Sequence, residues 1–188
     1  QDALDYGWAG LAQAPASGDG TKPVRPVRIV GNLPYNIATP LISRILEADI
    51  PAYDCHFMVQ KEVAERITAR PGTRHYGYLT LLTAYFAQVD YLFSIPPTAF
   101  VPEPKVQSAF IRIRPKPKVA RPAVDYQKFK FWLKILFAHK RKTLGNNIKP
   151  YTDANKLADL VPDIRQLITQ RAEQLDLEDL VYLIRELQ

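Results

Sequence analysis

The chain has 188 residues, 47% of them hydrophobic and 23% charged, and its 25 Lys and Arg against 19 Asp and Glu give a net charge of +6. That length builds one or two domains with a proper core, and no apolar run approaches the roughly 20 residues of a membrane-spanning helix. A single cysteine, Cys55, excludes an intrachain disulfide and argues against a zinc cluster, so a reducing, cytoplasmic setting with neither membrane nor metal is expected.

In chain order, Gln1-Asp2-Ala3-Leu4 reads as the end of a strand, with no initiator Met and no signal-like apolar block. Residues 12–27 are rich in Ala, Pro, Gly and Ser and read as a surface loop. Arg28 to Gly31 is a predicted strand. Thr39 to Ala48 is a predicted helix, with Thr39 as its cap, Pro40 in its first turn, and Leu41, Ile42, Ile45 and Leu46 as its apolar face. Cys55 to Gln60 reads as a buried strand running into a helix from Lys61 to Ala69, with Cys55 a small core residue. Pro71 to Gly77 is a loop, Leu79 to Gln88 an apolar helix and Val89 to Ile95 a strand. A Pro-rich loop from Pro96 to Lys105 leads into Ser108 to Arg114, which alternates as a strand should.

The early crossovers favour a parallel sheet, and the last two strands, joined without a helix, favour an antiparallel hairpin at its edge. Residues 1–115 therefore read as one α/β domain, 116–124 as a Pro- and Lys-rich linker, and 125–188 as a small all-α region. Charge is unevenly placed. Residues 112–149 hold twelve basic residues against the single acid Asp125, a net +11, which leaves −5 for the rest of the chain. Such a block attracts a polyanion, with nucleic acid the first candidate and a solvated linker and helix face the bland alternative. His56 and His139 read as structural rather than catalytic.

The stretch with the most chemistry is Asn32-Leu33-Pro34-Tyr35, between a strand and a helix, where an open α/β sheet places its ligands. Asn and Pro also favour ordinary turns, so four residues alone leave that alternative open. An Asn side-chain oxygen and the carbonyl before a Pro can both accept from an exocyclic amine, while a Tyr ring stacks on the base that carries it. This composes a pocket for an adenine whose amino group is to be methylated. In the Pro-rich loop, Phe100 either closes on the other face of that base or plugs the core, and Lys105 is placed to contact phosphate.

The combination resembles the adenine-N6 dimethyltransferases of ribosomal RNA. The resemblance rests on Asn32 to Ile37, Phe57 to Arg66, Tyr76-Gly77, Phe100 to Ala109 and Arg141 to Leu144, in order and spacing over nearly the whole chain. It is closer to the bacterial branch that modifies two adjacent adenosines near the 3′ end of 16S RNA than to the branch acting on 23S RNA. It implies the second half of a Rossmann-like methyltransferase sheet, mostly parallel with a terminal antiparallel hairpin, followed by a helical RNA-binding domain. It implies S-adenosylmethionine as cofactor, with Asp2 and Asn32 binding it and Asp2 holding its adenine amino group. Asn32 and the Leu33–Pro34 backbone would accept the target amine, and Tyr35 and Phe100 would stack the base. Lys105, Lys140, Arg141 and Lys142 would touch the RNA of the small ribosomal subunit. The family's Gly-rich cofactor loop and ribose-binding acid have no counterpart in this sequence, so the chain by itself is expected to be an inactive fragment. The rivals are another amino methyltransferase, which carries Asn or Asp-Pro-Pro-Tyr at this corner, and a non-catalytic RNA-binding or ribosome-assembly factor.

Overall fold

The structure, a computed structural model, describes Trp8, residues 26–153 and residues 160–187. The chain divides into two compact units, Gln1–Thr68 with Phe86–Val119, and Ala69–Tyr85 with Ala120–Gln188. None of the helices among the described residues is long and apolar enough to cross a membrane.

The first unit is built on a four-stranded sheet. Its strands are β1 (Val27–Asn32), β2 (Ala52–Gln60), β3 (Ala87–Ile95) and β4 (Ser108–Pro115), in the order β1-β2-β4-β3. β1 pairs parallel to β2, and β4 pairs antiparallel to both of its neighbours. The expected terminal hairpin is present, with its second strand turned inward against β2. The period-2 pattern explains the pairing. Cys55, Phe57 and Val59 on β2 and Ala109, Ile111 and Ile113 on β4 are all buried, so the two strands share an apolar face. Cys55 is 1% exposed, the core residue expected, and burial pushes its thiol up to about 12.

Helix α1 (Ala38–Glu47) joins β1 to β2 and buries Ala38, Leu41, Ile42, Ile45 and Leu46, the apolar face expected plus one alanine. Its start differs from expectation. Ile37 is the N-cap, no side chain caps the helix, and Thr39 lies inside the first turn. The Ile37 N–H donates to the Pro34 carbonyl at 3.1 Å, so the corner's own turn brings the chain in, and Pro40 still falls among positions whose N–H needs no helical partner. Helix α2 (Lys61–Ile67) follows β2 without a break. Far from the corner, Arg28 clasps Asp54 through two hydrogen bonds of 2.6 and 3.0 Å, tying β1 to β2. The guanidinium holds the Asp54 carboxyl below the usual carboxylate range. On β3, Asp90 bridges Arg112 and Arg114 of β4 at 2.9 and 3.1 Å.

The second unit is helical. Helix α3 (Tyr78–Phe86) ends earlier than its composition suggests, because Ala87 and Gln88 pair with Pro115 and Arg114 in the β3–β4 ladder. Helix α4 (Tyr126–Leu136) is capped by Asp125, whose carboxylate accepts from the Lys128 N–H at 3.0 Å. Its Phe129, Leu133 and Leu136 are fully buried, as are Leu144 and Ile148 of helix α5 (Leu144–Ile148). Ile164 of the helix Pro162–Leu167 and Leu180, Leu183 and Ile184 of the helix Leu177–Glu186 complete this core. Tyr85 stacks near Phe129 with ring centres 4.9 Å apart and donates to the Val124 carbonyl at 3.0 Å. Tyr76, pushed up by burial, donates to the Leu175 carbonyl at 2.9 Å. Asn147 donates to the Leu136 carbonyl at 2.9 Å, and so closes the end of α4.

Candidate active site

The corner begins where β1 stops. Asn32 is the last residue of β1 and stands opposite Met58 of β2. The next N–H, of Leu33, still donates to the Met58 carbonyl at 3.0 Å, so the corner's first two residues remain on the sheet's ladder. Leu33 is 6% exposed and anchors the turn from beneath, while Asn32 and Pro34 face outward. Gly31 makes this close packing possible. A Cβ there would lie 3.3 Å from Leu33 Cδ2 and 3.6 Å from the Phe57 ring. Among the described residues, nothing hydrogen-bonds the Asn32 side chain. The arrangement leaves an amide oxygen at the carboxyl end of a parallel strand, on a rigid base.

Tyr35 is half-buried, and its hydroxyl lies 2.6 Å from Ser108 Oγ. Ser108 is fully buried at the start of β4, opposite Gln60 of β2 and Ile95 of β3. The Pro-rich loop thus leaves the sheet at Ile95 and returns to it at Ser108. Within it, Pro97–Ala99 form a 3₁₀ turn, Phe100 is half-buried just beyond, its N–H donating to the Pro97 carbonyl at 3.1 Å, and Lys105 is exposed. The Val101–Pro102 peptide is cis. The structure therefore brings the corner and the Pro-rich loop to one end of the sheet. It shows no ring contact between Tyr35 and Phe100.

At the end of β2 and the start of β4 lies an open groove of about 330 Å³, lined by Gln60, Lys61, Glu62, Glu65, Val106 and Gln107. Lys61 ties two of its sides together. Its N–H donates to the Gln107 carbonyl and its ammonium to Gln107 Oε1, both at 2.9 Å. Neither Ser108 nor this groove was singled out as chemistry from sequence. The available signal was a serine placed where the alternating strand begins.

The remaining candidates lie elsewhere. Lys140, Arg141 and Lys142 are exposed in the second unit, between α4 and α5, and the Lys140 ammonium donates to the Tyr76 carbonyl at 3.3 Å. Asp2 lies outside the described residues. Part of the basic block is already spoken for within the first unit, since Arg112 and Arg114 pair with Asp90 and Lys118 pairs with Asp49 at 2.9 Å.

Comparison with known proteins follows the same line. The family model described as ribosomal RNA adenine dimethylase matches residues 6–188. The chain is 43% identical over 182 residues to the ribosomal RNA small subunit methyltransferase A of Saccharophagus degradans, covering 97% of this chain and 63% of that protein. To the protein of the same name from Pseudomonas aeruginosa it is 40% identical over 188 residues, covering 99% and 65%. The chain thus spans a little under two thirds of the length of these relatives. Among solved structures, a dimethyladenosine transferase from Plasmodium falciparum superposes with a TM-score of 0.72 at 28% identity, over 90% of this chain and 70% of that one. The 23S rRNA methyltransferase ErmE, at 20% identity and a TM-score of 0.63 over 88% and 67%, shares the fold. A Rossmann-like methyltransferase sheet ending in an antiparallel hairpin, an Asn-Leu-Pro-Tyr corner at its carboxyl edge, and a family match over nearly the whole length agree: this chain belongs to the ribosomal RNA adenine dimethylase family.

Proposed function

We propose that the protein transfers methyl groups from S-adenosylmethionine to the N6 amines of two adjacent adenosines near the 3′ end of 16S RNA, within the small ribosomal subunit and in the cytoplasm. The observation that carries this reading is the Asn32 amide, exposed at the carboxyl end of β1 with its backbone held to Met58. The names of the relatives, small subunit methyltransferases, favour this RNA over 23S RNA.

The chemistry follows from the amine. Its lone pair is delocalised into the adenine ring, which makes it a poor nucleophile. Asn32 Oδ1 and the Leu33 carbonyl accept its two N–H groups, favouring a pyramidal nitrogen whose lone pair points away from the ring. Tyr35 and Phe100 hold the extruded base between them. The cofactor supplies an activated methyl on a sulfonium, so the residues of this chain contribute positioning and stabilisation of the charge that grows on N6. The donor set fits such a group: a side-chain amide at the strand end, with no hydrogen-bond partner among the described residues, can face substrate and cofactor together. Asp2 would hold the cofactor's adenine amine. Lys105, Lys140, Arg141 and Lys142 would grip the phosphates of the RNA. Residues 1–115 would form the catalytic domain and 125–188 the RNA-binding one.

The test is methyl transfer from labelled S-adenosylmethionine to undermethylated small ribosomal subunits, by this chain and by the complete product of its gene. Transfer to the paired adenosines by the complete product supports the proposal. Binding to subunits with no transfer by either form refutes it in favour of a non-catalytic assembly factor.

A further inference from the structure

From the contact between Tyr35 and Ser108 we infer that Ser108 is a positioning residue for the reaction, fixing where the ring that stacks the target base sits. The inference rests on the base-stacking role proposed above for Tyr35. A ring that stacks on a base must hold its place while the base enters and leaves. Tyr35 is only half-buried, so packing alone leaves the side chain freedom to swing about its Cα–Cβ bond. Its hydroxyl is instead tied, at 2.6 Å, to Ser108 Oγ, 73 positions further along the chain. Ser108 itself cannot yield. It is 0% exposed and held between β2 and β3 by ladder pairing on both sides. A buried serine hydroxyl needs a partner, and this one finds it in the corner's aromatic ring.

The same residue ends the loop that carries Phe100. One serine thus fixes the Tyr35 ring and the return point of the segment bearing the second aromatic. The loop's return point is set by the Ser108 backbone, whereas the Ser108 hydroxyl reaches the substrate through Tyr35, so the effect of removing that hydroxyl depends on the Tyr35 hydroxyl, which a general structural role would not require.

The experiment is a double-mutant cycle in the complete gene product, measuring single-turnover methyl transfer and RNA affinity with undermethylated small subunits. Ser108→Ala and Tyr35→Phe are each expected to slow transfer about three- to ten-fold, the worth of one positioning hydrogen bond, with RNA affinity unchanged. The double variant should be no slower than either single one, and Ser108→Thr, which keeps a hydroxyl, should recover most of the rate. If the losses multiply, Ser108 acts independently of Tyr35 and the inference is overturned. Should Ser108→Ala fold poorly, Tyr35→Phe decides alone, since it leaves Ser108 in place: a wild-type rate overturns the inference. Tyr35→Ala separates the two levels. A severe loss there with a harmless Tyr35→Phe removes only the role of Ser108, whereas a harmless Tyr35→Ala removes the stacking role itself.

Discussion

If Asn32 holds the target amine as proposed, replacing it by Ala should separate catalysis from binding. The side chain is exposed, ends a strand and hydrogen-bonds no described residue, while the pairing of its backbone with Met58 does not depend on the side chain. The fold should therefore shift by no more than about 0.5 kcal/mol, within about 2 °C of melting temperature for a chain of this size. Turnover should suffer far more. Loss of one group that stabilises developing charge costs about 2.7–4 kcal/mol of barrier, or about 10²- to 10³-fold in rate. RNA affinity, set mainly by phosphate contacts, should stay within about three-fold. Asn32→Asp keeps an acceptor at the same place and should retain at least about ten-fold more activity than Asn32→Ala. Single-turnover methylation and equilibrium binding to undermethylated small subunits measure both quantities on one preparation. Equal losses in rate and affinity would refute the assignment of Asn32 to the target amine. So would an Asn32→Asp variant as slow as Asn32→Ala.

Neutralising Lys140, Arg141 and Lys142 together should weaken RNA binding and lower the slope of log affinity against log salt by about 2, at about 0.7–0.9 for each phosphate no longer neutralised; an unchanged slope places the RNA elsewhere. Cys55 should resist alkylation in the folded protein at pH 8 by more than about 100-fold relative to the denatured chain, because its thiol is both 1% exposed and pushed up to about 12. The folded state holds that proton more tightly than the unfolded one, so the associated stability is complete below pH 9.0 and is lost as pH rises towards about 12. Denaturant midpoints across that window should fall less steeply in Cys55→Ala than in the wild type. Phe129→Ala empties the centre of the helical unit and should cost about 3–5 kcal/mol in a urea titration, a large share of the stability of a typical domain.

Local structure was legible in the sequence where it was self-contained. The face of α1 could be read from Leu41, Ile42, Ile45 and Leu46, because helical spacing alone sets it. The place of the corner between β1 and α1 could be read from its residue types, because Asn and Pro both favour a turn. Non-local choices were hidden. The inward position of β4 depends on matching its buried Ala109, Ile111 and Ile113 to Cys55, Phe57 and Val59, some fifty residues earlier, and periodicity does not name a partner. The end of α3 is set by β4 as well: Ala87 and Gln88 suit a helix, yet ladder bonds to Pro115 and Arg114 claim them. Net charge misled in the same way. Arg112 and Arg114 count towards a basic block in sequence, but in space both serve Asp90, an acid outside that block. Thr39 looked like a cap by type, and the turn from Pro34 to Ile37 had already decided the entry.

The corner's geometry suits the proposed reaction, which needs mainly alignment from few exposed groups. Each outward residue is paired with an inward one that cannot move. Asn32 faces out while the next residue, Leu33, is buried and its N–H bonds to β2. Tyr35 is half-exposed while its hydroxyl is fixed to the buried Ser108. Gly31 lets Leu33 close beneath, where a Cβ would crowd it at 3.3 Å. Reactive alignment tolerates errors of about 1 Å poorly, and loops alone do not supply that precision. Here Asn32 ends the β1 ladder, Leu33 follows it directly, and Tyr35 is tied to β4 through Ser108. A substitution that loosens either anchor should therefore lower the rate before it lowers affinity or stability, and the Ser108 and Tyr35 cycle measures that ordering directly.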